Sequence, residues 1–215
     1  MIKQLHRRYA ILAAGMMTAG LVRPSWAQNA PPAQTVRMRG VVQAVTANSV
    51  TVKGRSGEVV ELVTNDKLVV SEVYPIVLED IKPGSFIGTA ALPQPDGSLK
   101  AIAVTVFTEA QRNVPQGHFP FDLQPQSTMT NAIVSDVATL RAASGTGAGR
   151  KLQLKYKDGE KALQVAPDAP VVTSRPGDRS LLVPGASVGV FAQVIDGKPT
   201  ALRMNAGKNG FVLPY

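Results

Sequence analysis

The sequence predicts an all-β protein, two tandem small OB-like β-barrels joined by a Pro-rich ordered linker and preceded by a cleavable signal peptide. Three observations predict it. Apolar and polar residues alternate over short runs, as in strands with one buried and one wet face. Turn-forming Gly and Pro recur between those runs. The chain also repeats itself at an offset of 100 to 102 residues.

The repeat is read from landmarks in the same order. Ser56-Gly57-Glu58 matches Asp158-Gly159-Glu160, and Asp66 matches Asp168. Pro83-Gly84 matches Pro184-Gly185, and Asp96-Gly97 matches Asp196-Gly197. Between them Val50 and Val52 correspond to Leu152 and Leu154, and Ile102 and Val104 to Leu202 and Met204. The first unit, residues 36–109, is expected to carry strands near 36–45, 49–53, 58–63, 68–73, 85–92 and 98–107. The second, residues 130–208, is expected to carry them near 131–139, 151–156, 161–165, 171–175, 187–195 and 200–206. A short helical turn precedes each Pro-Gly, over 77–81 and 179–182. Glycines at the four hairpin turns tolerate positive φ. Six strands and one helical turn in each short unit suit a small closed barrel, which leaves no exposed edge. An SH3-like barrel or a small sandwich is the alternative.

Residues 1–27 read as a secretory signal. Lys3, Arg7 and Arg8 form a basic start, residues 9–22 are mostly apolar, and Ser25-Trp26-Ala27 suits signal peptidase. Arg7-Arg8-Tyr9 followed by Ile11-Leu12 fits a twin-arginine signal as well as a general secretory one. The expected location is therefore periplasmic. No later run is apolar and long enough for a membrane helix, which takes about 20 residues. Cleavage leaves 19 basic against 15 acidic residues, a net charge of +4 rather than the +8 of the whole chain. Residues 36–109 hold 7 basic and 8 acidic residues, and residues 130–215 hold 11 and 6, so the positive charge sits in the second unit.

Residues 110–129 (AQRNVPQGHFPFDLQPQSTM) hold three prolines and no alternation, and are expected to be a linker. Its apolar side chains, Phe119 and Phe121 among them, suit packing along a seam between barrels.

Leu78-Glu79-Asp80-Ile81-Lys82-Pro83-Gly84, together with the linker's Gly117-His118-Phe119-Pro120-Phe121-Asp122-Leu123-Gln124-Pro125 and Ser127-Thr128-Met129-Thr130-Asn131-Ala132, resembles parts that recur in a group of exported bacterial proteins of unknown function. These are built from tandem small OB-like β-barrel repeats and are sometimes labelled metal-transport-associated. The resemblance spans most of residues 36–206. It implies a fold and specifies function poorly.

The residue types restrict the chemistry. With no cysteine there is no thiolate metal site, no covalent haem and no thiol nucleophile. After cleavage His118 is the only histidine. One imidazole cannot furnish a catalytic zinc site or a two-histidine iron site, so no metal site and no cofactor are expected. A hydrolase would need His118 as base with Ser127 and Asp122 nearby, and no G-x-S-x-G elbow surrounds any serine. The paired carboxylates Glu79-Asp80 and Glu58/Glu61 read as turn and surface residues. The Gly-rich stretch 144–149 lacks the Lys-Ser/Thr of a phosphate loop and reads as a flexible insertion.

The expected function is therefore non-catalytic binding or adaptation. Two ligand-binding regions are candidates: His118, Phe119, Phe121 and Asp122 in a cleft between the barrels, and Arg150, Lys151, Lys155 and Lys157 as a basic stripe on one hairpin. The fitting partners are an anionic envelope polymer, a lipid headgroup or a protein partner. Nucleic acid does not fit an exported chain with few strand aromatics. A purely structural envelope component is the runner-up, and a hydrolase centred on His118 the third reading.

Overall fold

The computed structural model describes residues 34–140 and 148–215. The expected signal peptide, and all but the last two residues of the Gly-rich stretch 144–149, lie outside the described residues. The described chain is all-β. Its first half carries β1 (Thr35–Val45), β2 (Ser49–Gly54), β3 (Val59–Val63), β4 (Val69–Pro75), β5 (Phe86–Pro93) and β6 (Leu99–Val106). β7 (Gly117–Pro120) follows, then β8 (Thr128–Leu140), β9 (Gly149–Tyr156), β10 (Gly159–Val165), β11 (Val171–Pro176), β12 (Ser187–Ile195) and β13 (Lys198–Gly207). Single turns of 3-10 helix stand at Leu78–Asp80 and Arg179–Leu181, ahead of the two Pro-Gly turns. The element order of the two repeats therefore matches, strand for strand.

Strand pairing departs from the expectation that each repeat closes on itself. β1, β2 and β3 form an antiparallel meander. Its outer strands are completed by the last hairpin of the chain: β1 pairs antiparallel with β12, and β3 pairs parallel with β13 where Val63 lies opposite Thr200. The meander β8-β9-β10 is completed in the same way by the hairpin of the first repeat. There β8 pairs antiparallel with β5, and β10 pairs parallel with β6 at Leu163↔Leu99 and Gln164↔Lys100. Two five-strand circuits result, and neither coincides with residues 36–109 or 130–208.

The crossing takes place at β4 and β11. β4 pairs parallel with β13, β11 pairs parallel with β6, and the two pair antiparallel with each other, Val73 opposite Ser174. Past each strand end one backbone bond repeats, Ile76 N–H to the Val171 carbonyl at 2.9 Å and Gly177 N–H to the Val70 carbonyl at 3.0 Å. These bonds carry each chain segment onto the opposite circuit before its 3-10 turn begins.

The cores confirm the exchange. One cluster joins Val42, Val50, Val52 and Leu62 of the first repeat to Leu182, Val188 and Met204 of the second. The other joins Leu152, Leu154 and Leu163 to Ile81, Ile87 and Leu99. Full burial of such a side chain stabilises by about 1.5–3 kcal/mol, so the exchanged hairpins are central to both cores. Burial follows sequence pattern. β12 alternates, with Val188, Val190 and Ala192 inward. β5 (FIGTAALP) is buried on both faces over its first six residues, and its sequence is accordingly apolar or small without alternation.

Two expectations need correction. Gly57, Gly97 and Gly197 have positive φ as expected, at 95°, 79° and 76°. Gly159 does not: it opens β10 opposite Tyr156, leaving Lys157 and Asp158 as a two-residue turn. The segment 110–129 is also more than a connector. Residues 117–120 form β7 and pair with the first part of β8, because the chain turns at 122–126 and returns antiparallel, Phe121 N–H meeting the Ser127 carbonyl at 2.8 Å.

Candidate functional site

An open cleft of about 650 Å³ lies along the outer face of the crossing strands. Its floor is the row of strands between the two circuits, represented by Ser71, Val73, Thr105, Val172 and Ser174. Its walls are β7 with the turn after it on one side, and β1, β12, β13 and the C-terminal residues Leu213 to Tyr215 on the other. The site therefore exists because the chain crosses over.

On the second wall, three residues from three adjacent strands stand in a line. Arg37 lies opposite Phe191, and Phe191 lies opposite Arg203. Both guanidiniums sit over the ring, at 5.5 and 5.9 Å from its centroid. Among the described residues neither arginine has a carboxylate within 4 Å. Two exposed cations on one ring leave donor capacity directed outward, since a guanidinium carries five N–H groups and a ring face satisfies none of them fully. Met38 and Val190, out of phase with this row, point into the core.

Where the walls meet, Arg39 donates to the Asp122 carboxylate at 2.7 Å and lies over the Phe121 ring at 4.8 Å. Phe121 in turn meets Tyr215 edge-on, with centroids 6.5 Å apart. The Arg39 guanidinium holds the Asp122 carboxyl below its ordinary value. Arg39 thus holds Asp122 directly; Arg37 adds a weaker, longer-range attraction to the same carboxylate, and Arg203 has no carboxylate within 4 Å among the described residues.

The residues singled out from sequence are divided by the structure. Phe119 and Phe121 line the cleft. Asp122 stands at its rim, 75% exposed, on Arg39. His118 faces the other way. It lies opposite Thr130, shares a 2.8 Å hydrogen bond between Nδ1 and Thr130 Oγ1, and stacks on Tyr156 at 6.3 Å. Strand alternation separates His118 from Phe119. Burial, and then the Lys161 ammonium, hold the imidazole below its ordinary value. Ser127 gives its hydroxyl to the carbonyls of Phe121 and Gln124, so it closes a turn rather than facing His118.

The hairpin stripe is also divided. Lys151 and Lys155 share the exposed face of β9, and Lys157 lies in the turn beyond. Arg150 has the opposite phase, that of buried Leu152 and Leu154, and donates to the Ile81 carbonyl at 3.3 Å. Glu160 lies directly opposite Lys155, which offsets part of the positive charge. The stripe and the cleft are separate surfaces.

Arg37, Arg39, Phe191 and Arg203 are the residues that sequence reasoning missed. Their signal was present as Arg37-Met38-Arg39 and Leu202-Arg203-Met204, two runs that place arginine on one face and an apolar residue on the other. Recognising that these faces adjoin requires the β1–β12–β13 pairing. Comparison with protein-family models, curated proteins and solved structures yields no match to this chain.

Proposed function

We propose that this is a non-catalytic binding protein of the bacterial envelope, whose cleft holds an anionic ligand with an apolar or planar body. The observation that carries this reading is the Arg37–Phe191–Arg203 row, which presents two cations without a carboxylate partner beside aromatic surface. Phe119, Phe121 and Tyr215 supply apolar area around it. A ligand anion would gain charge-assisted hydrogen bonds, and its body would gain burial against the rings. The non-catalytic reading draws support from His118, which stands on the face of β7 turned from the cleft.

The OB-like reading of each circuit is supported by its order. A three-strand meander is followed by a hairpin whose first strand pairs antiparallel with the first strand and whose second pairs parallel with the third. Export to the periplasm follows from residues 1–27 and belongs to the same proposal.

The test uses the mature chain, which has no tryptophan once Trp26 is removed, and the fluorescent probe anilinonaphthalene sulfonate. Binding is expected to weaken by about tenfold to a hundredfold in Arg37→Ala/Arg203→Ala, in line with loss of charge-assisted contacts of about 1.5–3 kcal/mol. Added salt is expected to weaken it too. Equal affinity of variant and parent, or insensitivity to salt, contradicts the proposal.

A further inference from the structure

At Arg37 the outward side of β1 carries no strand among the described residues, where the equivalent position of β8 is filled. The carbonyl of Gln34 accepts from Val194 N–H at 2.9 Å, and Thr35 lies opposite Gln193. In an antiparallel ladder this fixes the phase. Even-numbered residues of β1 bond to β12, and Arg37 and Arg39 turn their backbone groups to the other side. On that side β2 reaches only as far as Gly40, and Arg55 N–H takes the Arg39 carbonyl at 3.2 Å. Among the described residues nothing bonds to the outward N–H and C=O of Arg37.

The second repeat shows what such an edge accepts. Val42 and Val134 occupy equivalent places, each at a bulge and each bonded to a Pro-Gly turn. Five residues earlier stand Arg37 and Met129. Met129 lies opposite Phe119 of β7, with the neighbouring bond from Phe121 N–H to the Ser127 carbonyl placing Met129 and Phe119 in the bonded phase. The protein thus adds a short extended segment to β8 at the position that is vacant on β1.

We infer that the Arg37 edge of β1 is a docking site for an extended segment of a partner polypeptide, which adds as an antiparallel strand with a carboxylate side chain opposite Arg37. Side chains opposite each other across an antiparallel pair share a face, so that carboxylate stands in the cleft beside the Arg37–Phe191–Arg203 row. Opposite charge there is complementary, because the one carboxylate at the rim, Asp122, is held by Arg39 and reaches Arg37 only at longer range, leaving Arg37 without a direct ion pair among the described residues. Main-chain bonds supply the affinity and the arginines the choice of sequence. The inference rests on the cleft reading and names its partner.

The test is fluorescence anisotropy with a labelled, N-acetylated peptide of alternating Glu and Val, three of each, and the mature chain. Binding is expected, and a peptide with Lys in place of Glu is expected not to bind. N-methylation of the Glu amides, which face β1 when Glu lies opposite Arg37, is expected to weaken binding about tenfold or more, and N-methylation of the Val amides to leave it within about twofold. Arg37→Gln keeps the edge N–H and is expected to weaken binding several-fold. Arg37→Pro removes it as well and is expected to weaken binding further, Pro being tolerated on an edge. Equal effects of the two methylation patterns overturn strand addition. If the aromatic sulfonate still binds in an Arg37-dependent way, the cleft reading survives that result; if it does not, both fall. The methylation series needs no variant, so misfolding of Arg37→Pro leaves the test intact.

Discussion

Gly185 donates its backbone N–H to the carbonyl of Val42 at 2.8 Å, joining a turn of the second repeat to the first strand of the first. Gly84 makes the same bond to Val134 at 2.8 Å. In each case the strand residue returns a bond, Val42 N–H to the Ala186 carbonyl at 3.0 Å and Val134 N–H to the Ser85 carbonyl at 2.8 Å. The Pro-Gly turn that marks the repeat in sequence is therefore also the clasp that holds each exchanged hairpin to its circuit.

Both glycines occupy the left-handed region, with φ of 88° and 89°. A Cβ added at either position meets open space, so the cost of alanine is conformational. Gly185→Ala is expected to destabilise by about 1–2 kcal/mol, and Gly84→Ala by a similar amount. Urea unfolding checks this: the midpoint should fall while the slope stays unchanged.

At the crossing, Arg175 of β11 makes a two-pronged contact with Glu72 of β4, at 2.8 and 3.2 Å. The guanidinium holds the Glu72 carboxyl below its ordinary value, chiefly by hydrogen bonding. A depressed carboxyl pKa contributes stability above its unfolded value, and that contribution is lost as pH falls through the folded one. Unfolding midpoints measured from pH 6 down to pH 3 should therefore fall more steeply in the parent than in Arg175→Gln. Parallel profiles would show the pair to be neutral.

The His118 imidazole is held low by burial and by Lys161. It is expected to titrate below about 6.5, the ordinary value, and Lys161→Met is expected to move it upward. Proton NMR of a chain starting at Gln28, in which His118 is the single histidine, reads this directly. Because the folded state resists protonation, this residue should lower stability as pH drops below about 6.5.

How much was legible in the sequence depends on range. The alternation in KLQLKYK and the landmark turns located β9 and every other strand of both repeats to within a few residues, because those signals are local. β7 was not legible: GHFP has no alternation to read, and it is a strand only because β8 lies beside it. The hairpin exchange was not legible either. Phe86 and Ser187 are equivalent positions, and the pattern around β1 fits one as well as the other. What decides between them is the β4–β11 pairing, a contact between distant segments. The cleft shared that fate: Phe191 and Arg203 face each other within one local hairpin, but Arg37 joins their row only through the exchange.

The exchange itself is tested most directly by cross-linking in a chain with no cysteine of its own. Val41 lies opposite Ser187, in the phase whose backbone groups do not bond to each other and whose Cβ atoms are closest. The double variant Val41→Cys/Ser187→Cys is expected to oxidise to an intramolecular disulfide in the monomer, read by mass spectrometry of the tryptic peptides. Val41→Cys/Phe86→Cys, which places the second thiol on the hairpin of the same repeat, is expected to remain reduced. A disulfide in the second pair with none in the first would mean that each repeat closes on its own strands, and the crossing strands and their cleft would go with it.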